Sequence, residues 1–387
     1  MKHRKKFVFL FCLVISLFLV TGCWNRRDLN QLVIVAAMGI DKGEDQQVIL
    51  TAQVIKPVAS ASSEGSASEN TAVEILTAQG KTVFDAVRNF VEESGRKLYY
   101  PHTMAIVVGE GLAREGILPV LDFFLRDHEL RLTTWFLVSS GSAADVINLK
   151  PLLGPIPAQN LEMLLKDSHD VAKSVSTNIL DTFNECADES LQPVLSRVEI
   201  NVINGQKIAR LVGSYVFRTD KLVGWLTATQ TRGYLFIRGE VKSGIIVVPY
   251  PGKPNQRISL EIKNASGKVK PYLEDGTVKY SIDVEVTSNI GEQMGADLLD
   301  DPGMLKQLEA EQGAAVKQEI QNVVTRAQTE YKLDILGLGA ATARKFPAQW
   351  RDLKDTWEEE FPNQAVQVVV KAKVENSGLT NLLKIEK

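Results

Sequence analysis

The stretch ISLEIKNASGKVKPYLEDGTVKYSIDVEV, residues 258–286, decides the fold class. Ile258, Leu260 and Ile262 alternate with polar residues, and Val278, Tyr280, Ile282, Val284 and Val286 do so again. A period of two puts one set of side chains on a single face of a strand, so both runs predict half-buried strands. With Val269 to Leu273 between them, the stretch predicts a three-strand meander joined by polar turns. A meander is foreign to an all-parallel, regularly alternating α/β lobe, so the chain is read as α+β.

Working back from that stretch, Val241 to Tyr250 predicts a strand closed by Pro251-Gly252. Leu211 to Phe217 and Leu222 to Leu226 predict a hairpin about Thr219-Asp220-Lys221. Thr227 to Arg238 is ambiguous, with a short helix as one reading. Working forward, Asp301-Pro302-Gly303 opens the longest helix. Its apolar stripe is Leu305, Leu308, Ala315, Val316, Ile320, Val323, Val324 and Ala327. Two shorter helices follow, Ile335 to Phe346 and Pro347 to Glu359. The last strand, Val366 to Val374, needs a sheet to join and is expected to pair within the same domain.

The N-terminal half mixes strands and helices. Leu32 to Ile40 and Val48 to Ile55 predict a hairpin about Asp41-Lys42-Gly43-Glu44-Asp45, and Val73, Ile75 and Thr77 predict a third strand. Residues 59–70, ASASSEGSASEN, are low-complexity and predict a flexible loop. Thr82 and Asp85 open a helix with Val83, Val87, Phe90 and Val91 on one face and Gly95 as its stop. Thr103 to Gly109 and Leu132 to Val138 predict strands, and Ile117 to Arg126 a helix. Ser142 and Asp145 cap a further short helix, and Leu161 to Asp188 is mainly helical.

The first residues decide where the chain lives. Lys2, Arg4, Lys5 and Lys6 precede a fourteen-residue apolar run, Phe7 to Val20, interrupted once by Ser16. As a helix it spans about 21 Å against a hydrocarbon core of about 30 Å, the length of a signal peptide's apolar region. Val20-Thr21-Gly22-Cys23 resembles the lipobox of bacterial lipoproteins, which implies a diacylglyceryl group on the Cys23 thiol. Trp24, Arg26 and Arg27 follow, where they can meet headgroups or fold onto the domain. The expected organisation is a signal peptide, 1–22, an N-terminal α+β domain, 23–204, and a β-rich α+β domain, 205–387. The last admits a further division near 250.

With 44 basic and 47 acidic residues the net charge is −3, which argues against nucleic acid as a partner. Cys12 leaves with the signal peptide and Cys23 carries lipid, so Cys186 has no disulfide partner. Catalytic motifs are missing: there is no phosphate-cradling loop, nucleophile elbow or H-E-x-x-H. Asp127-His128-Glu129 reads as a solvated helix end rather than a ligand set. Cys186 beside Phe183 reads as packing rather than half of a nucleophilic pair with His169. Asp297, Asp300 and Asp301 suit a helix N-terminus without a cation. No catalytic, cofactor or metal residue is assigned; the one site residue is Cys23.

Several blocks together resemble the Ger(x)C family of spore-germination lipoproteins. They are Gly22-Cys23-Trp24-Asn25-Arg26-Arg27, Met38-Gly39-Ile40-Asp41-Lys42, and Asp122-Phe123-Phe124-Leu125-Arg126-Asp127 with Arg131 to Trp135. Gly224-Trp225-Leu226 with Thr231-Arg232-Gly233, Leu336-Gly337-Leu338-Gly339 with Trp350 and Trp357, and Ser377-Gly378-Leu379-Thr380-Asn381 complete the series. Asn25 and Gln230 stand where the pattern leads one to expect acidic residues. The resemblance implies a non-enzymatic C subunit of a nutrient germinant receptor. Cys23 would anchor it in the outer face of the inner spore membrane, assembled with A and B membrane subunits. It also implies mixed sheets with packed helices in an unusual topology. The alternative class is a solute-binding lipoprotein, which wants two α/β lobes around a cleft.

Overall fold

The computed structural model describes residues 4–7, 9, 32–56, 72–127, 129–151, 153–294 and 302–375. The elements of the first half are β1 (Leu32–Lys42), β2 (Val48–Ile55), β3 (Val73–Gly80), α1 (Val83–Ser94), β4 (Lys97–Tyr99) and β5 (Ala105–Val108). After them come α2 (Glu110–Glu115), α3 (Leu118–Arg126), β6 (Trp135–Ser139), α4 (Ala143–Ile147), α5 (Pro157–Lys166), α6 (Ile179–Ala187) and β7 (Val194–Ile203). The second half runs β8 (Gln206–Arg218), β9 (Lys221–Leu226), α7 (Ala228–Arg238), β10 (Ile245–Tyr250), β11 (Lys253–Glu274) and β12 (Thr277–Gln293). It ends with α8 (Pro302–Arg326), α9 (Leu338–Lys345), α10 (Pro347–Leu353), α11 (Trp357–Glu360) and β13 (Val366–Val374).

Two sheets organise these elements. The first has nine strands in the order β3-β2-β1-β5-β6-β7-β8-β9, with β4 pairing the start of β1. Its middle pairs, β1 to β5, β5 to β6 and β6 to β7, are parallel. Parallel strands need covering on both faces, and the Ala105-Ile106-Val107-Val108 run of β5 is buried throughout. Met38, Ile106 and Phe136 face α1, α2, α3 and α6. Ala37, Val107 and Leu137 point the other way, against α4 and α5. The flanks are antiparallel hairpins, so the sheet is mixed, as an α+β chain requires.

The boundary expected at 204/205 coincides with the turn between β7 and β8, where Asn204 and Gly205 have positive φ and Ile203 pairs with Gln206. The first sheet continues past it to Leu226. The second sheet has four strands, β10-β11-β12-β13, and rests on α7, α8 and the loop and helices after α8.

The predicted meander is corrected here. Residues 258–262 and 269–273 belong to one 22-residue strand, β11, paired with β12 from Ile258 to Glu274. Asn264-Ala265-Ser266-Gly267 looks like a turn by composition. Register shifts at Ser259/Leu260 and Ile262/Asn264 instead absorb the change of phase and let the strand continue. The turn lies at Asp275-Gly276, whose φ values of 48° and 79° suit a tight two-residue hairpin. The terminal strand does pair in its own unit, since β13 lies parallel to β12 from Tyr280 to Ser288.

Thr227 to Arg238 resolves as helix. Thr227 caps α7 and Gln230 completes a capping box. Its sequence shows weak periodicity because Thr231 to Ile237 are buried without interruption. Ser142, expected to cap α4, makes no side-chain cap; Asp41 on β1 does so from about a hundred residues away. Among the described residues no helix is long and apolar enough to cross a membrane.

Candidate functional site

Cys23, with Trp24, Arg26 and Arg27, lies outside the described residues, as do the loop 59–70, His128, Asp297, Asp300, Asp301 and the block 377–381. Next to His128, Asp127 accepts hydrogen bonds from the Tyr100 hydroxyl and the Glu129 N–H, and Glu129 pairs with Lys97 at 2.9 Å. Cys186 packs in the core beneath the first sheet, and burial pushes its thiol up to about 12. A thiol held protonated in this way is a poor nucleophile. Among the described residues no group of three or more His, Cys, Asp or Glu could hold a metal ion.

The residues that the structure does gather form the joint between the two sheets. β9 ends the first sheet, α7 crosses to the second, and α8 packs along α7. Leu226 is fully buried, while Trp225 beside it is 43 % exposed. The guanidinium groups of Arg197 and Arg326 lie 5.0 and 6.0 Å from the Trp225 ring. The Tyr331 hydroxyl donates to the Trp225 carbonyl at 2.7 Å, and its ring occupies the space that a side chain on Gly224 would take. Gln230 accepts from Arg326 Nη1 at 2.7 Å while capping α7, so the amide does there what a carboxylate would do.

At the centre of the joint, Arg232 meets Glu319 of α8 through two parallel hydrogen bonds, Nε to Oε2 at 2.7 Å and Nη2 to Oε1. Arg232 Nη1 donates to the Ile245 carbonyl of β10 at 2.8 Å. Both side chains are about nine-tenths buried, so each charge depends on the other for compensation. Gly233 is needed for the helices to approach: a Cβ there would lie 2.3 Å from the Glu319 carbonyl oxygen.

A second buried carboxylate organises the chain after α8. Asp334 Oδ1 accepts the N–H groups of Leu336, Gly337 and Leu338 at 2.9–3.1 Å. Oδ2 accepts from Gly339 N–H at 2.7 Å and Trp357 Nε1 at 3.1 Å. Burial still raises this carboxyl to about 6, partly offset by those donors. Gln192 N–H donates to the Asp334 carbonyl at 3.1 Å and ties the loop before β7 to the same point. Trp357 in turn stacks edge-on with Trp350 and Phe361.

Between α6 and α7 lies a polar cavity of about 390 Å³. Glu185 lines it, 3.7 Å from Arg238, with Oε2 buried and without a hydrogen-bond partner. Burial pushes Glu185 up to about 7 against the lowering effect of Arg238. The joint can therefore store compensated charge and exchange one proton near neutrality. It offers neither an activated nucleophile nor a metal centre among the described residues.

Residues 25–200 match the family described as spore germination protein N-terminal domain, and residues 212–378 match spore germination B3/GerAC like, C-terminal. The chain belongs to the GerAC-like family of spore germination proteins. Spore germination protein KC of Bacillus subtilis (strain 168) is 27 % identical over 95 % of both chains. Spore germination protein B3 of the same organism is 27 % identical over 98 % of this chain and 99 % of its own. The fold is shared with the crystal structure of the GerBC protein, at a TM-score of 0.55 and 22 % identity over 88 % of this chain and 97 % of that one. As a GerAC-like protein the chain is a germination component and not an enzyme.

Within this GerAC-like chain, three of the blocks that carried the resemblance fasten elements together. Asp41 caps α4, Gly224 to Gly233 build the joint, and Leu336 to Gly339 wrap Asp334. Sequence reasoning missed Glu319, Asp334, Glu185 and Gln312, whose buried amide donates to the Ser288 hydroxyl of β12. Glu319 and Gln312 sit on the buried stripe of α8 with Leu308, Val316 and Val323. Their spacing was the available signal, since polar residues at stripe positions imply a buried partner.

Proposed function

We propose that this chain is the C subunit of a nutrient germinant receptor. Lipid on Cys23 tethers it to the outer face of the inner spore membrane, where it assembles with membrane-embedded A and B subunits. The observation that carries the reading is the match to both germination families, which together span residues 25–378 with only a short gap. The tether is supported by the apolar run Phe7 to Val20 leading directly into Thr21-Gly22-Cys23. Two acyl chains, each contributing about 0.8 kcal/mol per buried methylene, hold a protein where one chain would be marginal. The work of the subunit is then contact and transmission: the joint couples one large sheet to another through compensated buried charges, and a partner that shifts one sheet is felt by the other.

The tether is tested with Cys23→Ala in spores. Wild-type protein should sediment with membranes, and its N-terminal peptide should carry the mass of a diacylglyceryl group. The variant should be released or trapped as precursor, and its spores should germinate poorly with nutrient. An unmodified Cys23 in membrane-bound wild-type protein would refute the anchor.

A further inference from the structure

The second sheet leaves part of one edge without a strand partner. β10 pairs β11 only between Lys253 and Glu261, and the last edge contact is from Ile262 N–H to the Gly244 carbonyl at 2.8 Å. Beyond it, among the described residues, β11 has a strand neighbour on one side only, β12.

Which backbone groups face outward follows from the turn. A two-residue turn at Asp275-Gly276 makes Glu274 and Thr277 a hydrogen-bonded pair. Even-numbered residues back to Lys268 therefore bond to β12, and odd-numbered ones direct N–H and C=O away from it. Two observations agree with this parity. Lys345 Nζ donates to the Pro271 carbonyl at 2.7 Å. Gly267 N and O each lie 3.1 Å from where a side chain on Gly239 would begin. Val269, between them, turns one donor and one acceptor into a groove of about 590 Å³ bounded by β11 and α9.

The groove is cationic on both walls. Arg238, Lys268, Lys270, Arg344 and Lys345 line it, and no carboxylate does. Arg238 is matched by Glu185 and Glu240, and Lys270 by Asp283. Lys268 and Arg344 make no ion pair among the described residues, since Asp283, which stands opposite Lys268 in register, is bonded to Lys270, and Lys345 bonds a neutral carbonyl. Since the whole chain carries −3, this surplus is local.

Lysine and proline on an edge discourage pairing with neutral strands. Uncompensated positive charge at the same edge selects an acidic strand instead. A phosphate group offers mainly acceptors and would meet the carbonyl oxygens of Gly267 and Val269. A peptide backbone offers a donor and an acceptor together, at strand spacing. We propose that this groove docks an extended acidic segment of a partner protein, laid as a short strand against Val269.

The test uses the purified full-length chain and a blocked octapeptide of alternating glutamate and valine. Controls are its lysine counterpart, a backbone N-methylated copy, sodium phosphate, and phosphatidylglycerol vesicles. The glutamate peptide should bind, more weakly as salt rises, and the lysine peptide should not. The double variant Lys268→Glu/Arg344→Glu should weaken binding at least tenfold. Val269→Pro removes the outward N–H and should weaken binding at least fivefold; because Val269 also packs against the core, the comparison is made below the variant's own melting temperature. The N-methylated peptide makes the same comparison without altering the protein and should lose at least fivefold. No binding of the glutamate peptide would overturn the proposal. So would full affinity in both backbone tests, or displacement of the peptide by phosphate or vesicles at equal concentration, which would mark a plain anion site.

Discussion

Glu185 is the residue at which pH should reach the fold. Its ordinary value is 4.5, and burial beside α7 raises it to about 7. Between those values the folded chain holds a proton that the unfolded chain has released. The stability contributed by the group is therefore fully present below about 4.5 and is lost as pH rises through 7. Glu185→Gln cannot ionise, so it should melt higher than wild type at pH 8, and the two should converge towards pH 4.5. The gap at the upper end should be on the order of 3 kcal/mol. Thermal melts of both proteins across that range decide it; a constant difference at every pH would mean that Glu185 is not held protonated by the fold. The same scale shows why local reading fell short. Asp334 stands directly before the helix predicted from Ile335, and nothing local marks it as buried. Only the chain's return at the start of α11 brings Trp357 to its second oxygen.

Among the elements, α7 and α8 carry the argument, because Arg232 and Glu319 are paired out of water between them. Arg232→Met leaves the Glu319 carboxylate buried and uncompensated, and should cost about 3–5 kcal/mol in denaturant unfolding. Arg232→Met with Glu319→Leu removes both charges and should recover most of that loss. Equal destabilisation in the single and double variants would show that packing, not charge compensation, governs the joint. The stripe of α8 and the strands β12 and β13 were legible, because apolar period is a local property of the chain. The continuity of β11 was not, since it depends on Gly267 meeting the α7 C-terminus. The helical state of α7 was obscured by burial on every side, and the cap on α4 by its origin in β1.

For the whole molecule, two sheets joined through α7 and α8 suit a part that transmits position rather than one that encloses a substrate. A solute-binding lipoprotein wants two lobes of regular strand–helix alternation, and the long β11–β12 hairpin does not provide the second. Composition and hairpin patterns made the α+β class legible from sequence. The extent of the first sheet was hidden, because β8 and β9 extend it past the polar turn at Asn204-Gly205. The central claim, a receptor subunit working through contact with membrane partners, is tested most directly by recovering tagged protein from detergent-solubilised spore membranes. Mass spectrometry of what accompanies it should find a multi-spanning, transporter-like subunit together with an A-type subunit. Recovery of an ATP-driven permease in their place would contradict the receptor reading and return the protein to the solute-binding class.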